Sequence, residues 1–418
     1  MKIENLFLSI LKDALHGNET NDFQELSMEE WEKLFQTAQK QSVAPMIYQQ
    51  IFHLPSFTQA DPGFQNFWKM HTLKEAGNQA RCSALFLMLY DKMRQNGFTP
   101  LVVKGIVCRS LYPNPDLRIS GDEDLLIPRE QFQQLDEFLL KEGFVRENLD
   151  EGKEYQEVGY HHLGNGLYLE IHMDLFAKES GAYGHLNDLF IDAFSSSVVV
   201  NLQGTEVHTL HPQLHFLYLL CHSLKHFFHS GFGVRQVCDM ILFAQHYKDE
   251  ICWADLIKIL KGNHMYEFSM NLLNIGAEYF DVSWENLNLS KPTNVTFDSL
   301  PLLNDMLDGG IYGKSDADRI HSANITLNAA ENEKASAASG ILASLFPDKD
   351  YIQTHYPYTK KYRILLPIGY LHRIGSYLLK RKSAPKNSSG KSSTQIGMER
   401  VRLLEKYKLS DKQQKHGG

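Results

Sequence analysis

Two aspartates one residue apart, Asp122 and Asp124, lead directly into the apolar run Leu125-Leu126-Ile127. Side chains two residues apart point to the same face of a strand, so both carboxylates would lie together at the start of this one. Mg²⁺ prefers oxygen ligands and commonly binds through one or two carboxylates and substrate phosphates. The pair predicts a divalent-cation site, although a solvated turn before an edge strand would have the same sequence.

A third carboxylate lies downstream on a second predicted strand. Polar and apolar residues alternate from Leu167 to Met173, which places Glu170 and His172 on one face of a half-buried strand. Glu170 would complete the metal site. His172 could orient Glu170, act as a general base or simply pack, and orientation of Glu170 is favoured over direct metal ligation.

The dipeptide Lys104-Gly105 stands between a short apolar strand at 101–103 and a helix-like segment. Glycine lets backbone N–H groups come close to a phosphate, and a helix N-terminus attracts anions. Lys104 would add a full positive charge. This turn is therefore a candidate phosphate-binding loop, although the same dipeptide also occurs as plain turn chemistry.

The order of these motifs, which includes Arg118 between the lysine and the aspartates, resembles that of the uncharacterised bacterial nucleotidyltransferase family within the DNA polymerase β-like superfamily. The resemblance implies an α/β (α+β) fold, the minimal nucleotidyltransferase mixed sheet with helices, flanked by N- and C-terminal helical regions. It also implies an enzyme that moves an NMP from an NTP such as ATP to a hydroxyl, with release of pyrophosphate and with Mg²⁺ or Mn²⁺ as cofactor. The acceptor is an unidentified small molecule, protein or RNA.

A histidine-rich segment follows, in which His222, His226 and His229 have helical spacing. It has no H-E-x-x-H motif, which excludes the common metalloprotease pattern. In the family that the chain resembles, an arginine and an aspartate follow such a helix, here Arg235 and Asp239. These residues are predicted to line the nucleotide or acceptor cleft, and a packed helix with satisfied polar groups is the equally weighted alternative.

The resemblance and the charge of the reaction together assign roles to ten residues. Asp122, Asp124 and Glu170 would bind metal and carry catalysis. The predicted nucleotide contacts are Lys104, Gly105, Arg118, His172, His226, Arg235 and Asp239.

Composition limits the other classes of function. The 418-residue chain has a net charge of −8, so no general attraction to nucleic acid is expected. Its five cysteines form no C-x-x-C pair, its first residues do not resemble a signal peptide, and it has no apolar run of about 18 residues. These features predict a cytoplasmic protein without a membrane-spanning helix.

Pattern changes along the chain predict five regions. They are a helical cap at 1–95, a nucleotidyltransferase catalytic domain at 96–210, a helical domain that closes the cleft at 211–345, a basic amphipathic segment at 346–381, and a largely disordered tail at 382–418.

Two alternatives to the transferase hypothesis stay open. Lysines and arginines between 360 and 382 alternate with apolar residues and no acid, a pattern that suits weak contact with an anionic membrane surface, RNA, or the protein's own domain. The fold could thus serve as a catalytically inactive binding module, as a toxin–antitoxin-like or membrane-surface partner. The same carboxylates would also suit a metal-dependent phosphohydrolase, which would release orthophosphate instead of pyrophosphate.

Overall fold

The structure is a computed structural model, and it describes residues 2–147, 155–310, 317–331 and 393–409, with a few residues between 352 and 372. Within these ranges it is a mixed α+β fold with a seven-stranded sheet, and helical regions come before and after the sheet in the sequence. The predicted fold class is confirmed. Buried apolar side chains from the N-terminal helices, the sheet and the C-terminal helices belong to one continuous hydrophobic core.

The first part of the chain is helical, as its amphipathic patterns predict. Ser27 caps the second helix, and its backbone N–H donates to Glu30, which completes a capping box. Asp61 caps the fifth helix, which has Pro62 at its first position. These helices are α1 Lys2–His16, α2 Met28–Lys40, α3 Ala44–Ile51, α4 Pro55–Thr58 and α5 Pro62–Gln95.

The sheet has the strand order β3-β4-β5-β2-β1-β7-β6. Its centre is mixed, because β2 runs antiparallel to β1 and parallel to β5, and β1 runs parallel to β7. The strands are β1 Leu101–Val102, β2 Glu123–Leu126, β3 Phe144–Arg146, β4 Glu157–His162, β5 Tyr168–His172, β6 Val198–Leu202 and β7 Thr205–Thr209.

Two helices lie within the sheet region. The helix α6, Gly105–Arg109, follows β1 after Lys104. Residues Arg129–Gln131 form a 3₁₀ turn that continues as α7, Phe132–Lys141. Gly143 then adopts a φ of +92°, the left-handed conformation typical of a glycine that ends a helix.

Helices return after β7. The first of them is buried on most sides, which its nearly continuous apolar sequence requires. These helices are α8 Pro212–Phe228, α9 Val234–His246, α10 Trp253–Gly262, α11 Tyr266–Tyr279, α12 Leu300–Gly309 and α13 Ala317–Glu331.

The sequence predicts a largely disordered tail at 382–418, and the structure describes residues 393–409 of it. Residues Ser393–Lys406 form helix α14, which packs against α13 and α12. The side chains of Val401, Leu404 and Tyr407 are buried, and this burial favours order in a segment of otherwise polar composition. Most of the basic segment at 346–381 lies outside the described residues. None of the helices described is long and apolar enough to cross a membrane.

Candidate functional site

The acidic pair at the centre of the sheet is formed by Asp124 and Glu170. Strands β2 and β5 are parallel neighbours, and Asp124 lies directly opposite Glu170 in their register. Paired residues on neighbouring strands share a face, so their side chains lie together. The Asp124 side chain is 3% exposed and that of Glu170 is 26% exposed, so the site opens to solvent on the Glu170 side.

His172 joins this pair. Its Nε2 lies 3.2 Å from Asp124 Oδ1 and 3.9 Å from Glu170 Oε2. One ligand atom from each of the three residues lies within 4.8 Å of the others. The predicted placement of Glu170 and His172 on one face is therefore confirmed by these contacts.

The electrostatics separate the two carboxyl groups. Burial, together with the charges of Asp124, Glu157 and Asp122, raises the pKa of Glu170 to about 8. Burial also disfavours the charged form of Asp124, but Lys104 and His172 outweigh it and hold the pKa of Asp124 well below its usual value. Neighbouring acids with pKa values displaced in opposite directions are typical of functional sites.

Lys104 is a buried cation beside Asp124. Its Nζ lies 3.6 Å from Asp124 Oδ2, on the carboxylate oxygen that does not face His172. Burial lowers the pKa of Lys104, but the charges of Asp124 and Asp122 outweigh this effect and raise it. The lysine is therefore charged and close to the acidic pair.

Asp122 precedes β2 instead of lying within it. Its backbone carbonyl accepts a hydrogen bond from the Ser120 hydroxyl at 3.1 Å, and its side chain is partly exposed. It contributes to the displaced pKa values of both Lys104 and Glu170, so its charge acts on the same site. Its carboxylate is not in the three-residue ligand cluster of the described chain, and its predicted role as a metal ligand stays a prediction.

The Lys104-Gly105 turn has an internal anion as its partner. The carboxylate of Glu123 accepts the backbone N–H of Ile106 at 2.7 Å and also pairs with the buried Arg109. Gly105 has a φ of +34°, and a Cβ at this residue would lie 1.8 Å from Glu123 Oε2. Glu123 thus caps the N-terminus of α6, where the sequence predicted a phosphate.

Sequence reasoning missed Glu123 and Arg109. The sequence did contain a signal for Glu123. In a strand, the middle residue of the D-E-D motif points to the face opposite the two aspartates. A buried acid on that face needs a cation or N–H donors, and in the fold Arg109 and the N-terminus of α6 supply them.

Arg118 and Asp239 form a buried ion pair. Arg118 Nε and Nη2 lie 3.0 and 2.6 Å from the two Asp239 oxygens, and the Tyr112 hydroxyl donates to the same carboxylate at 2.8 Å. Arg235 donates to the carbonyl of Ile119. Two predicted nucleotide contacts, Arg118 and Asp239, therefore bind each other and fix the loop before β2 against α9.

The histidine helix also adjoins the site. His222 Nε2 lies 3.2 Å from His226 Nε2, and burial and the Lys104 charge hold the pKa of His222 well below its usual value. Lys225 lies 3.5 Å from Glu157, whose carboxylate is 3.4 Å from His172 Nδ1. The predicted contact of His226 with a nucleotide stays a prediction. Nothing in the sequence pointed to Glu157 or Lys225, since neither belongs to a motif. The pairing of β4 with β5 places Glu157 opposite His172.

The residues present fit a divalent cation. Asp124 Oδ2 is buried and makes no hydrogen bond within the described part of the chain. Two carboxylates and one imidazole supply oxygen and nitrogen donors at the spacing of a coordination sphere. Asp124, Glu170 and His172 would hold the ion.

A mixed sheet that sets two carboxylates side by side, with a buried lysine on one of them, is an arrangement suited to metal-dependent nucleotidyl transfer. Residues 27–281 match the family model described as "Uncharacterised nucleotidyltransferase". The chain therefore belongs to this nucleotidyltransferase family, and the predicted resemblance is confirmed. No curated protein and no solved structure matches the chain significantly.

Proposed function

We propose that this protein is a metal-dependent nucleotidyltransferase that moves an NMP from an NTP to the hydroxyl of an acceptor and releases pyrophosphate. The observation that carries the proposal is the register of β2 and β5, which sets Asp124 against Glu170 with Lys104 beside them. Membership of the family supports the same reaction class. The proposed nucleotide is an NTP, and the acceptor is a small molecule, protein or RNA.

In this reaction the acceptor oxygen bonds to the α-phosphorus, and the bond from that phosphorus to the oxygen of the β-phosphate breaks. Such transfers depend mainly on alignment and charge stabilisation. A bound Mg²⁺ or Mn²⁺ would neutralise charge on the attacking and leaving oxygens. Glu170 is the more exposed acid of the pair, so we propose that it completes the site at which the acceptor hydroxyl is activated and loses its proton.

The phosphates are assigned first to Lys104, because it is charged, buried and adjacent to Asp124. Arg235 lies close enough to Lys104 to lower the pKa of the lysine, so it is a second candidate for the same anion. Arg118 and Asp239 make their strongest contacts with each other. We therefore propose that the Arg118–Asp239 pair holds the loop before β2 in place beside the phosphate site. We also propose that His226 on α8 contacts the nucleotide.

The test is transfer of label from each α-phosphate-labelled NTP in the presence of cell extract and Mg²⁺ or Mn²⁺. Asp124→Asn is expected to lower the rate about 10²–10³-fold, because it removes a negative charge from the proposed metal site. Asp188→Asn, at an exposed aspartate outside the site, is the matched control. Pyrophosphate is the expected co-product.

Three results would contradict the proposal. Orthophosphate as the product would indicate a phosphohydrolase on the same carboxylates. Equal rates for Asp124→Asn and Asp188→Asn would remove the site from the reaction. If no label moves and NTP binding is the same in both variants, the binding-module hypothesis replaces this one.

A further inference from the structure

We infer that His172 is a direct metal ligand and that the site for this reason prefers a first-row transition-metal ion, with Mn²⁺ as the probe, to Mg²⁺. The inference rests on the proposed function only in so far as the reaction needs an ion at this place. It can be tested by metal binding alone, without turnover.

The positions of the donor atoms carry the first step. Two ligands at right angles, each about 2.1 Å from a small divalent ion, are about 3 Å apart. His172 Nε2 and Asp124 Oδ1 are 3.2 Å apart, and Glu170 Oε2 is 3.9 Å from the same nitrogen. The imidazole nitrogen therefore lies at ligand spacing from one carboxylate and needs a shift of less than 1 Å toward the other.

The second step concerns the charged groups around Asp124 and His172, which lie beside different atoms of these two side chains. Lys104 Nζ lies 3.6 Å from the other oxygen of Asp124, Oδ2, which makes no hydrogen bond within the described part of the chain. Glu157 lies 3.4 Å from the other imidazole nitrogen, Nδ1, where a carboxylate commonly orients a metal-binding histidine. Nε2 thus faces the two carboxylates, and Nδ1 faces Glu157, which lies 3.5 Å from Lys225. Nδ1 makes no hydrogen bond within the described part of the chain.

The third step is ligand chemistry. Mg²⁺ favours an octahedron of oxygen ligands, whereas an imidazole suits transition-metal ions. Asp122, the additional oxygen ligand that the sequence predicted, is outside the cluster of the described chain. Replacement of an oxygen by a nitrogen in a three-residue set shifts the preference away from Mg²⁺.

The experiment is pulsed EPR of Mn²⁺ added to the metal-free, full-length protein. Electron spin echo modulation from a directly bound ¹⁴N nucleus is expected in the wild type. In His172→Asn that modulation should vanish, and the ratio of Mn²⁺ to Mg²⁺ affinity should fall about tenfold. His161→Asn, an exposed histidine on the neighbouring strand β4, should keep both the modulation and the ratio.

Labelling all histidines with ¹⁵N gives a second measurement that needs no substitution, because the modulation frequency must change if an imidazole binds Mn²⁺. Mn²⁺ bound with oxygen ligands only, or an unchanged affinity ratio in His172→Asn, would overturn the inference. Label transfer without a nitrogen signal would leave the proposed function intact and remove only the ligand role of His172. A nitrogen signal without label transfer would keep the ligand role of His172 and count against the proposed function.

Discussion

Glu123 lies between the two aspartates of the motif, yet its carboxylate points away from both of them. It accepts the N–H of Ile106 and pairs with Arg109, and all three residues are buried. A buried carboxylate is stable only when it is paired and hydrogen-bonded. The residue that separates the candidate ligands therefore fixes the strand on which Asp124 is presented.

Gly105 makes this arrangement possible, and its substitution is a direct test. Gly105→Ala should lower the free energy of unfolding by about 1–3 kcal/mol, because the new Cβ would overlap Glu123 Oε2 and the backbone has a φ of +34°. Urea unfolding followed by circular dichroism measures this change. Gly262→Ala has open space around its Cβ and should be close to neutral. Similar values for the two variants would show that Glu123 moves aside at no cost.

At the scale of elements, α8 links the sheet to the histidine cluster. His215 on this helix is fully buried, and its Nδ1 lies 3.1 Å from the Thr209 hydroxyl, which donates to the carbonyl of Val102 at 2.6 Å. The contact joins α8 to β7 and β1. Burial lowers the pKa of His215 to about 4.

This shift predicts a loss of stability in mild acid. Between pH 6.5 and about 4 the unfolded chain binds a proton at His215 that the folded protein does not, so the free energy of unfolding falls as pH falls. The effect is complete at about pH 4, absent above pH 6.5, and worth up to about 3 kcal/mol. Urea unfolding at several pH values should show that the free energy of unfolding decreases less in acid for His215→Gln than for the wild type.

His53→Gln is the control for this measurement, because His53 is exposed. Its decrease should match that of the wild type. An identical pH dependence in His215→Gln would mean that other groups, such as the buried His222, account for the acid sensitivity.

At the scale of the whole molecule, α14 connects the end of the chain to α8. The guanidinium of Arg400 donates to the carbonyls of Phe227 and His229 at the C-terminal end of α8. Its Nε lies 3.6 Å from Asp305, which also pairs with Arg319. Cations are favoured at a helix C-terminus, where carbonyl groups lack intrahelical partners. Burial lowers the pKa of Arg400 to about 10, so it remains charged at neutral pH.

Arg400→Ala should therefore lower the free energy of unfolding by about 3 kcal/mol, because it leaves buried carbonyl groups and Asp305 with fewer partners. Chemical denaturation of the full chain is the measurement. Arg402→Ala on the exposed side of the same helix should change it by less than about 0.5 kcal/mol. Equal effects of the two substitutions would mean that α14 does not depend on this contact.

The sequence predicted the features that depend on local pattern. The helical first part of the chain and the strand with Glu170 and His172 on one face follow from local pattern, and the mixed sheet was implied by the family resemblance. The family followed from the order of the motifs. These signals work because neighbouring residues dictate them through backbone geometry.

Only the tertiary structure decided which groups meet. The β2–β5 register brings His172 to Asp124, the buried pair of Arg118 and Asp239 joins residues 121 positions apart, and Arg400 reaches carbonyl groups more than 170 positions away. Such partners depend on how strands and helices pack at long range, which no local spacing encodes. The sequence by itself determined the types of chemical group at the site, and the packing of sheet and helices determined their partners and pKa values.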